Sequence, residues 1–213
     1  MTARVLLTAF EPFGGAAVNS SLEVLHAVER RPPDGVELTT AELPVVWTRA
    51  RARLAEELAG HDVDAVVALG QTDAGSIAVE RIAVNLDDAK EDNEGVTADA
   101  EPIVPDGPPA YWSTLPVREI VERLRAAGIP AVPSRDAGGY LCNHLFYGLM
   151  HLLAGEGGRV IGGFVHVPQL PEQVLSSGEP SLPLDASVHA VEVVVEETAR
   201  ACASARPQAE HVV

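Results

Sequence analysis

Apolar, β-branched runs alternate along most of the chain with longer stretches whose apolar residues recur every three or four positions. Arg4–Ala9, Val63–Leu69 and Arg159–Val167 are largely apolar stretches of strand length, as expected of strands buried on both faces. Leu38–Val45, Ile77–Asn85 and Ile129–Pro133 predict shorter or mixed strands. Helical periodicity marks Ser20–Glu29, Thr48–Ala59, Val117–Ala127, Tyr140–Leu153 and Asp185–Ala205. Asn19 or Ser20 suits the cap of the first helix, and Glu23 would complete a capping box. Strands that alternate with helices in this way predict an α/β fold, a three-layer α/β/α sandwich around a mixed, mainly parallel sheet.

The chain has 213 residues, enough for one sizeable core, and no internal repeat or low-complexity tract divides it. Residues 1–213 are therefore expected to form a single α/β domain. Asp87–Pro109 and Gln169–Pro183 are polar, rich in Pro, Gly or acidic residues, and predict long ordered loops, which on a compact α/β body are frequently functional. Arg206–Val213 is expected to fray.

Charge and cysteine content narrow the function classes. The formal net charge is −16 and the chain holds a single lysine, Lys90, so no basic stripe can neutralise phosphates and nucleic acid is not an expected partner. Two cysteines, Cys142 and Cys202, are too few for a disulfide framework and suit a reducing compartment. The first residues lack a signal-peptide layout, and the longest uncharged run, Ala137–Gly155, contains glycines, Asn143, His144 and His151, which fits a buried helix better than a membrane span. A cytoplasmic protein without a membrane association is the expectation. No zinc-type cluster, P-loop, dinucleotide fingerprint or Gly-x-Ser-x-Gly elbow occurs, so neither metal nor cofactor is called for.

The candidate chemistry begins at Cys142, which follows Gly138-Gly139-Tyr140-Leu141 and opens a helical pattern. A sulfur near a helix N-terminus lies in the positive end of the macrodipole, and the free N–H groups there can receive an oxyanion. The alternative is a small buried hydrophobe. A thiolate nucleophile needs a proton carrier. His144 and His151 point away from Cys142 on the same helix at about 100° per residue, and His26, His61, His189 and His211 lie in amphipathic or terminal segments. His166 ends the apolar run Val160–Val165, at the strand end where α/β sheets place their chemistry, although a structural histidine fits there too. Glu80, flanked by apolar residues in Ile77–Asn85, is the candidate carboxylate to orient that imidazole. Pairing with Arg81 is the competing reading, weakened because adjacent strand residues face opposite sides.

Four blocks together resemble the pyroglutamyl peptidase I (pyrrolidone-carboxylate peptidase) family of cysteine peptidases. They are Phe10-Glu11-Pro12-Phe13-Gly14-Gly15 with Asn19-Ser20-Ser21, Val79–Asn85 running to Asp92-Asn93-Glu94-Gly95, Ser134 through Tyr140-Leu141-Cys142-Asn143, and Gly163-Phe164-Val165-His166-Val167-Pro168 with Pro171-Glu172-Gln173. The resemblance implies hydrolysis of the amide bond after an N-terminal pyroglutamyl residue through a thioester, with Cys142 as nucleophile, His166 as proton carrier and Glu80 as its orienting acid. It further implies Phe10 and Phe13 against the flat lactam, Asn19 and Gln71 near its polar edge or the loop beneath it, peptides with N-terminal pyroglutamate as partners, and a homotetramer. The chain departs from the family at Thr72-Asp73-Ala74-Gly75-Ser76, which is shorter and lacks an arginine, and at Lys90, where arginine is usual. Those departures keep two other readings open: a Cys–His–Glu amidase acting on another small lactam or amide, and a non-catalytic relative that binds pyroglutamyl peptides.

Overall fold

The computed structural model describes residues 2–205 except 89, 99, 156 and 158. The expected fraying of Arg206–Val213 and the terminal His211 therefore lie outside the described residues. The elements in chain order are β1 (Ala3–Phe10), α1 (Ser20–Arg30), β2 (Val36–Leu43), α2 (Trp47–Gly60), β3 (Ala65–Thr72), β4 (Ile77–Glu80), β5 (Ile82–Val84), β6 (Ala110–Trp112), α3 (Val117–Ala126), β7 (Ala131–Ser134), α4 (Leu141–Gly155), β8 (Ile161–Pro168), a 3-10 turn (Pro171–Gln173) and α5 (Leu184–Ala205). Six strands form one sheet in the order β2-β1-β3-β8-β4-β7. All neighbours are parallel except β4 and β8, which run antiparallel.

Period-two alternation sorts the strand residues onto two cores. Val5, Leu7 and Ala9 of β1, with Val67, Leu69, Val165 and Val167, pack beneath α1, α3 and α5. Leu6, Phe10, Val66, Ala68 and Phe164 face the other way, beneath α2 and α4. This is the expected α/β/α sandwich. Its central strands read as continuous apolar runs because both faces are covered, so neither face needs polar residues.

Two sequence expectations are corrected. The stretch Ile77–Asn85 is not one strand. It breaks at Arg81, whose N–H donates to Ser134 O at 2.9 Å while its carbonyl accepts from Ser113 N at 2.9 Å. Beyond that break β5 leaves the main sheet and pairs antiparallel with β6. The apolar pattern runs through because Ala83 is buried beneath α4 while Glu80 is buried at the sheet, so hydropathy alone carries no sign of the change of partner. At α1 the cap is Asn19, whose side chain accepts from Ser21 N–H at 3.0 Å. Glu23 then falls one position beyond the one a capping box uses, and it acts simply as an acid in the first turn, where the helix dipole favours negative charge.

Candidate active site

The C-terminal ends of β1, β3 and β8 meet the N-terminal ends of α1 and α4, the position where open α/β sheets offer a crevice. His166 lies near the end of β8, in register with Gly70 of β3 on one side and Ala78 of β4 on the other. Alternation puts Phe164 and His166 on the α4 side of the sheet, with their rings 5.0 Å apart. Two residues beyond Ala78, Glu80 faces the same way. Its Oε1 meets His166 Nδ1 at 2.8 Å. Glu80 is 1% exposed, so its charge needs this partner. Arg81 has its guanidinium 5.8 Å over the Trp112 ring instead.

Cys142 is the second residue of α4. The first backbone bond of that helix runs from His144 N–H to Tyr140 O at 3.1 Å, which leaves the N–H groups of residues 141–143 ahead of the helical ladder. The cysteine sulfur sits over Gly70: a Cβ there would lie 2.9 Å from Sγ and 2.7 Å from Phe164 Cζ. The missing side chain on β3 is thus the space that lets the sulfur approach His166. The sulfur lies against Gly70, whose register partner on β8 is His166, and both side chains face one cavity. Burial works against a charged imidazole, but the negative charge and hydrogen bond of Cys142, followed by the hydrogen bond and charge of Glu80, outweigh it and raise the His166 pKa to about 10. The imidazole is held between Glu80 and the Cys142 side chain.

A cavity of about 360 Å³ opens over this group. Phe10, Phe13, Asn19 and Gln71 all line it, together with Lys90, Tyr140, Cys142 and His166. Asn19 is occupied with support: its Oδ1 caps α1 and also accepts from Ser21 Oγ at 2.8 Å, and its Nδ2 donates to Glu11 O at 3.0 Å. Gln71 Oε1 accepts from Ser20 N–H and from Gln173 Nε2, both at 2.9 Å, which leaves its Nε2 as the donor end. Lys90 Nζ lies 4.5 Å over the Tyr140 ring. Burial, then the charges of Asp92 and Cys142, push the Tyr140 phenol up to about 12, so it stays neutral.

Sequence reasoning missed the residues that fix the loop after β5. Asn143 accepts from Val84 N–H and donates to Val84 O and Leu86 O, each at 2.9 Å. His144 Nδ1 meets Asp87 Oδ2 at 2.7 Å, both buried. Asp92 accepts from the N–H groups of Trp47, Glu94 and Val96 at 3.0, 2.9 and 2.9 Å. Burial raises the Asp92 pKa, but these three donors win and lower it. A polar residue directly after Cys142 and an Asp inside a Gly- and Asn-containing turn were the visible signals. Neither indicates which distant backbone it holds.

A family model described as pyroglutamyl peptidase matches residues 3–201. The chain belongs to the pyroglutamyl peptidase family. The pyrrolidone-carboxylate peptidase of Streptomyces coelicolor is 44% identical over 199 residues, covering 92% of each chain. That of Bacillus licheniformis is 43% identical over 195 residues, 91% of each. Among solved structures, pyroglutamyl peptidase I from Bacillus amyloliquefaciens superposes with a TM-score of 0.90 at 39% identity, covering 93% of this chain and 96% of that one. The pyrrolidone carboxyl peptidase of Thermococcus litoralis gives 0.91 at 35% identity with both chains fully covered. The pyroglutamyl peptidase family thus accounts for the fold from β1 into α5.

Two predictions follow from the geometry. Gly70→Ala is expected to displace the sulfur and to slow iodoacetamide labelling of Cys142 by about tenfold or more, since the new Cβ would meet the fully buried Phe164 ring at 2.7 Å and Sγ at 2.9 Å; labelling at the native rate would show that the contact is loose. The second concerns the His166 proton. A histidine with a raised folded-state pKa stabilises the fold fully below its ordinary value of 6.5 and loses that contribution as pH climbs through about 10. Cys142→Ser removes the sulfur charge, so the His166 ring resonances in an NMR titration should then change at lower pH, and an unchanged midpoint would refute the ion pair.

Proposed function

We propose that this protein is a cysteine-type pyroglutamyl peptidase that removes pyroglutamate from peptide N-termini, with Cys142, His166 and Glu80 as its catalytic group. The observation that carries this reading is the buried contact of Glu80 Oε1 with His166 Nδ1 at 2.8 Å, with the cysteine sulfur beside it over Gly70, the register partner of His166. Cys142 Sγ attacks the carbonyl carbon between pyroglutamate and the next residue. The negative oxygen that forms is received by the N–H groups at the start of α4, whose dipole points at it. The carbon–nitrogen bond then breaks as His166 gives its proton to the departing amine, leaving a thioester. Water adds to the thioester carbon while the imidazole takes a proton, the carbon–sulfur bond breaks, and free pyroglutamate leaves with the thiolate–imidazolium pair restored. Glu80 keeps the ring in one orientation and supports its positive charge throughout.

The lactam would lie against Phe10 and Phe13. A flat, uncharged ring needs aromatic walls and a few hydrogen bonds and no ionic partner. The Nε2 end of Gln71 is placed to donate to its carbonyl, while Asn19 holds the loop beneath. A free N-terminal amine would bring an unpaired charge into the same space, which disfavours open-chain residues. Lys90 shields this end through its contact with Tyr140, a role a cation over a ring can fill without the guanidinium fork.

The same reading takes residues 1–213 as one catalytic domain of a cytoplasmic homo-oligomer, a tetramer by family resemblance. Two cysteines, Cys142 and Cys202, are too few for a disulfide framework and fit a reducing compartment. No helix among the described residues is long and apolar enough to cross a membrane. Trp112, Val84 and Leu86, exposed at 63, 43 and 44%, give the β5–β6 region apolar surface of the kind that subunits cover.

Assays with pyroglutamyl, prolyl and glutamyl amides test the assignment. Cys142→Ser and His166→Ala should each lower turnover of the pyroglutamyl compound by about a thousandfold or more, and Glu80→Gln by about a hundredfold with the fold retained. Cleavage of prolyl or glutamyl amides in preference, or full activity of Glu80→Gln, would overturn it. Phe13→Ala should raise KM by about tenfold with a smaller change in kcat, because it removes ring contact and leaves proton transfer intact.

A further inference from the structure

A second cavity, also of about 360 Å³, begins where the first ends. Thr72, Ala137, Gly138 and His166 line both cavities, whereas Phe10, Phe13 and Gln71 line only the first. The two spaces therefore share a boundary at the imidazole, with the aromatic walls at the far end of one and a separate groove beyond. The amine that departs in the proposed reaction must lie within reach of His166, because that ring protonates it. Whatever is attached to this nitrogen starts at the shared boundary.

We propose that the groove seats the side chain of the residue following pyroglutamate, and that Asp136 makes it favour a basic residue there. This rests on the peptidase reading above. Size is the first argument. The groove is walled by Ala74, Ser76 and Ser134, whose short side chains leave room for a long one. The wall is also fixed in place: Gly75 packs so closely on Pro180 that a Cβ would lie 2.6 Å from it. Charge is the second argument. Asp136 lines the groove, and its Oδ1 accepts from Gly138 N–H at 2.9 Å, which orients the carboxylate. Glu80, 1% exposed, also lines the groove, and its Oε2 has no hydrogen-bond partner among the described residues. That unspent oxygen adds negative potential beneath the groove. No cation among the lining residues opposes it except the His166 imidazolium at the boundary. The Arg81 guanidinium lies over Trp112, Arg135 does not line the groove, and Lys90 lines only the first cavity, over Tyr140. The apolar stem of lysine or arginine would span the distance from the scissile nitrogen and carry its charge away from His166 toward Asp136.

The test compares kcat/KM for four compounds on the full chain: pyroglutamyl amide, and the pyroglutamyl amides of lysine, norleucine and glutamate. Lysine should be preferred to norleucine, and norleucine to glutamate. Asp136→Asn keeps the acceptor for Gly138 and removes only the charge. It should lower the lysine-to-norleucine ratio by about threefold at low salt, the size expected of one exposed charge, and 1 M salt should erase the difference. Ala74→Trp, on an exposed loop, should lower the ratio of norleucine amide to plain pyroglutamyl amide by about tenfold by filling the groove. Unchanged ratios in both variants would overturn the proposal. Loss of all four substrates alike would also overturn it, since a specificity wall acts selectively. Failure of the native protein to cleave even pyroglutamyl amide would instead defeat the peptidase reading itself, and the groove assignment with it.

Discussion

The hydrogen bond between Glu80 and His166 is the constraint around which the rest is arranged. A carboxylate sealed from water is costly unless a donor or cation meets it, and the His166 imidazole is the available partner. Meeting this condition requires β4 and β8 to be neighbours with both residues on one face. The reversed direction of β4, which sets Ala78 opposite His166, supplies it. The same face must then receive α4, because the sulfur completes the group. Fold and chemistry are set here by one pairing.

Much of this was legible in the sequence. The central strands and all five long helices stand out because burial on two faces leaves unbroken apolar runs, and burial on one leaves a periodic stripe. His166 was readable as a strand-end polar residue, Glu80 as a carboxylate in apolar company, and Cys142 as a thiol at a helix start. Their mutual distance was not legible, since it depends on the order of strands that lie far apart in the chain. The break at Arg81 was hidden because β4 and β5 are both apolar, and hydropathy records burial without recording the partner. Strand β6 was hidden too, being three residues long and exposed at Trp112.

The loop after β5 shows a different limit. Its polar composition predicts irregular backbone and says nothing of order. Order comes from side chains elsewhere: Asn143 and His144 on α4 reach back to residues 84–87, while Asp92 gathers three N–H groups around itself. Because Asn143 and His144 directly follow Cys142, the loop and the sulfur are fixed to the same helical turn. Disturbing the loop therefore disturbs the position of the sulfur.

Gln71 carries a consequence of its own. Its carbonyl end is claimed twice, by Ser20 and by Gln173, so the amide cannot rotate to exchange its two ends without losing both contacts. The pocket thus has a permanent polarity. A ligand that hydrogen-bonds to this amide would meet a group already held in one rotamer, so little side-chain entropy would be lost on docking. The cost of that order was met during folding, in the docking of α1 and of the 3-10 turn against the end of β3.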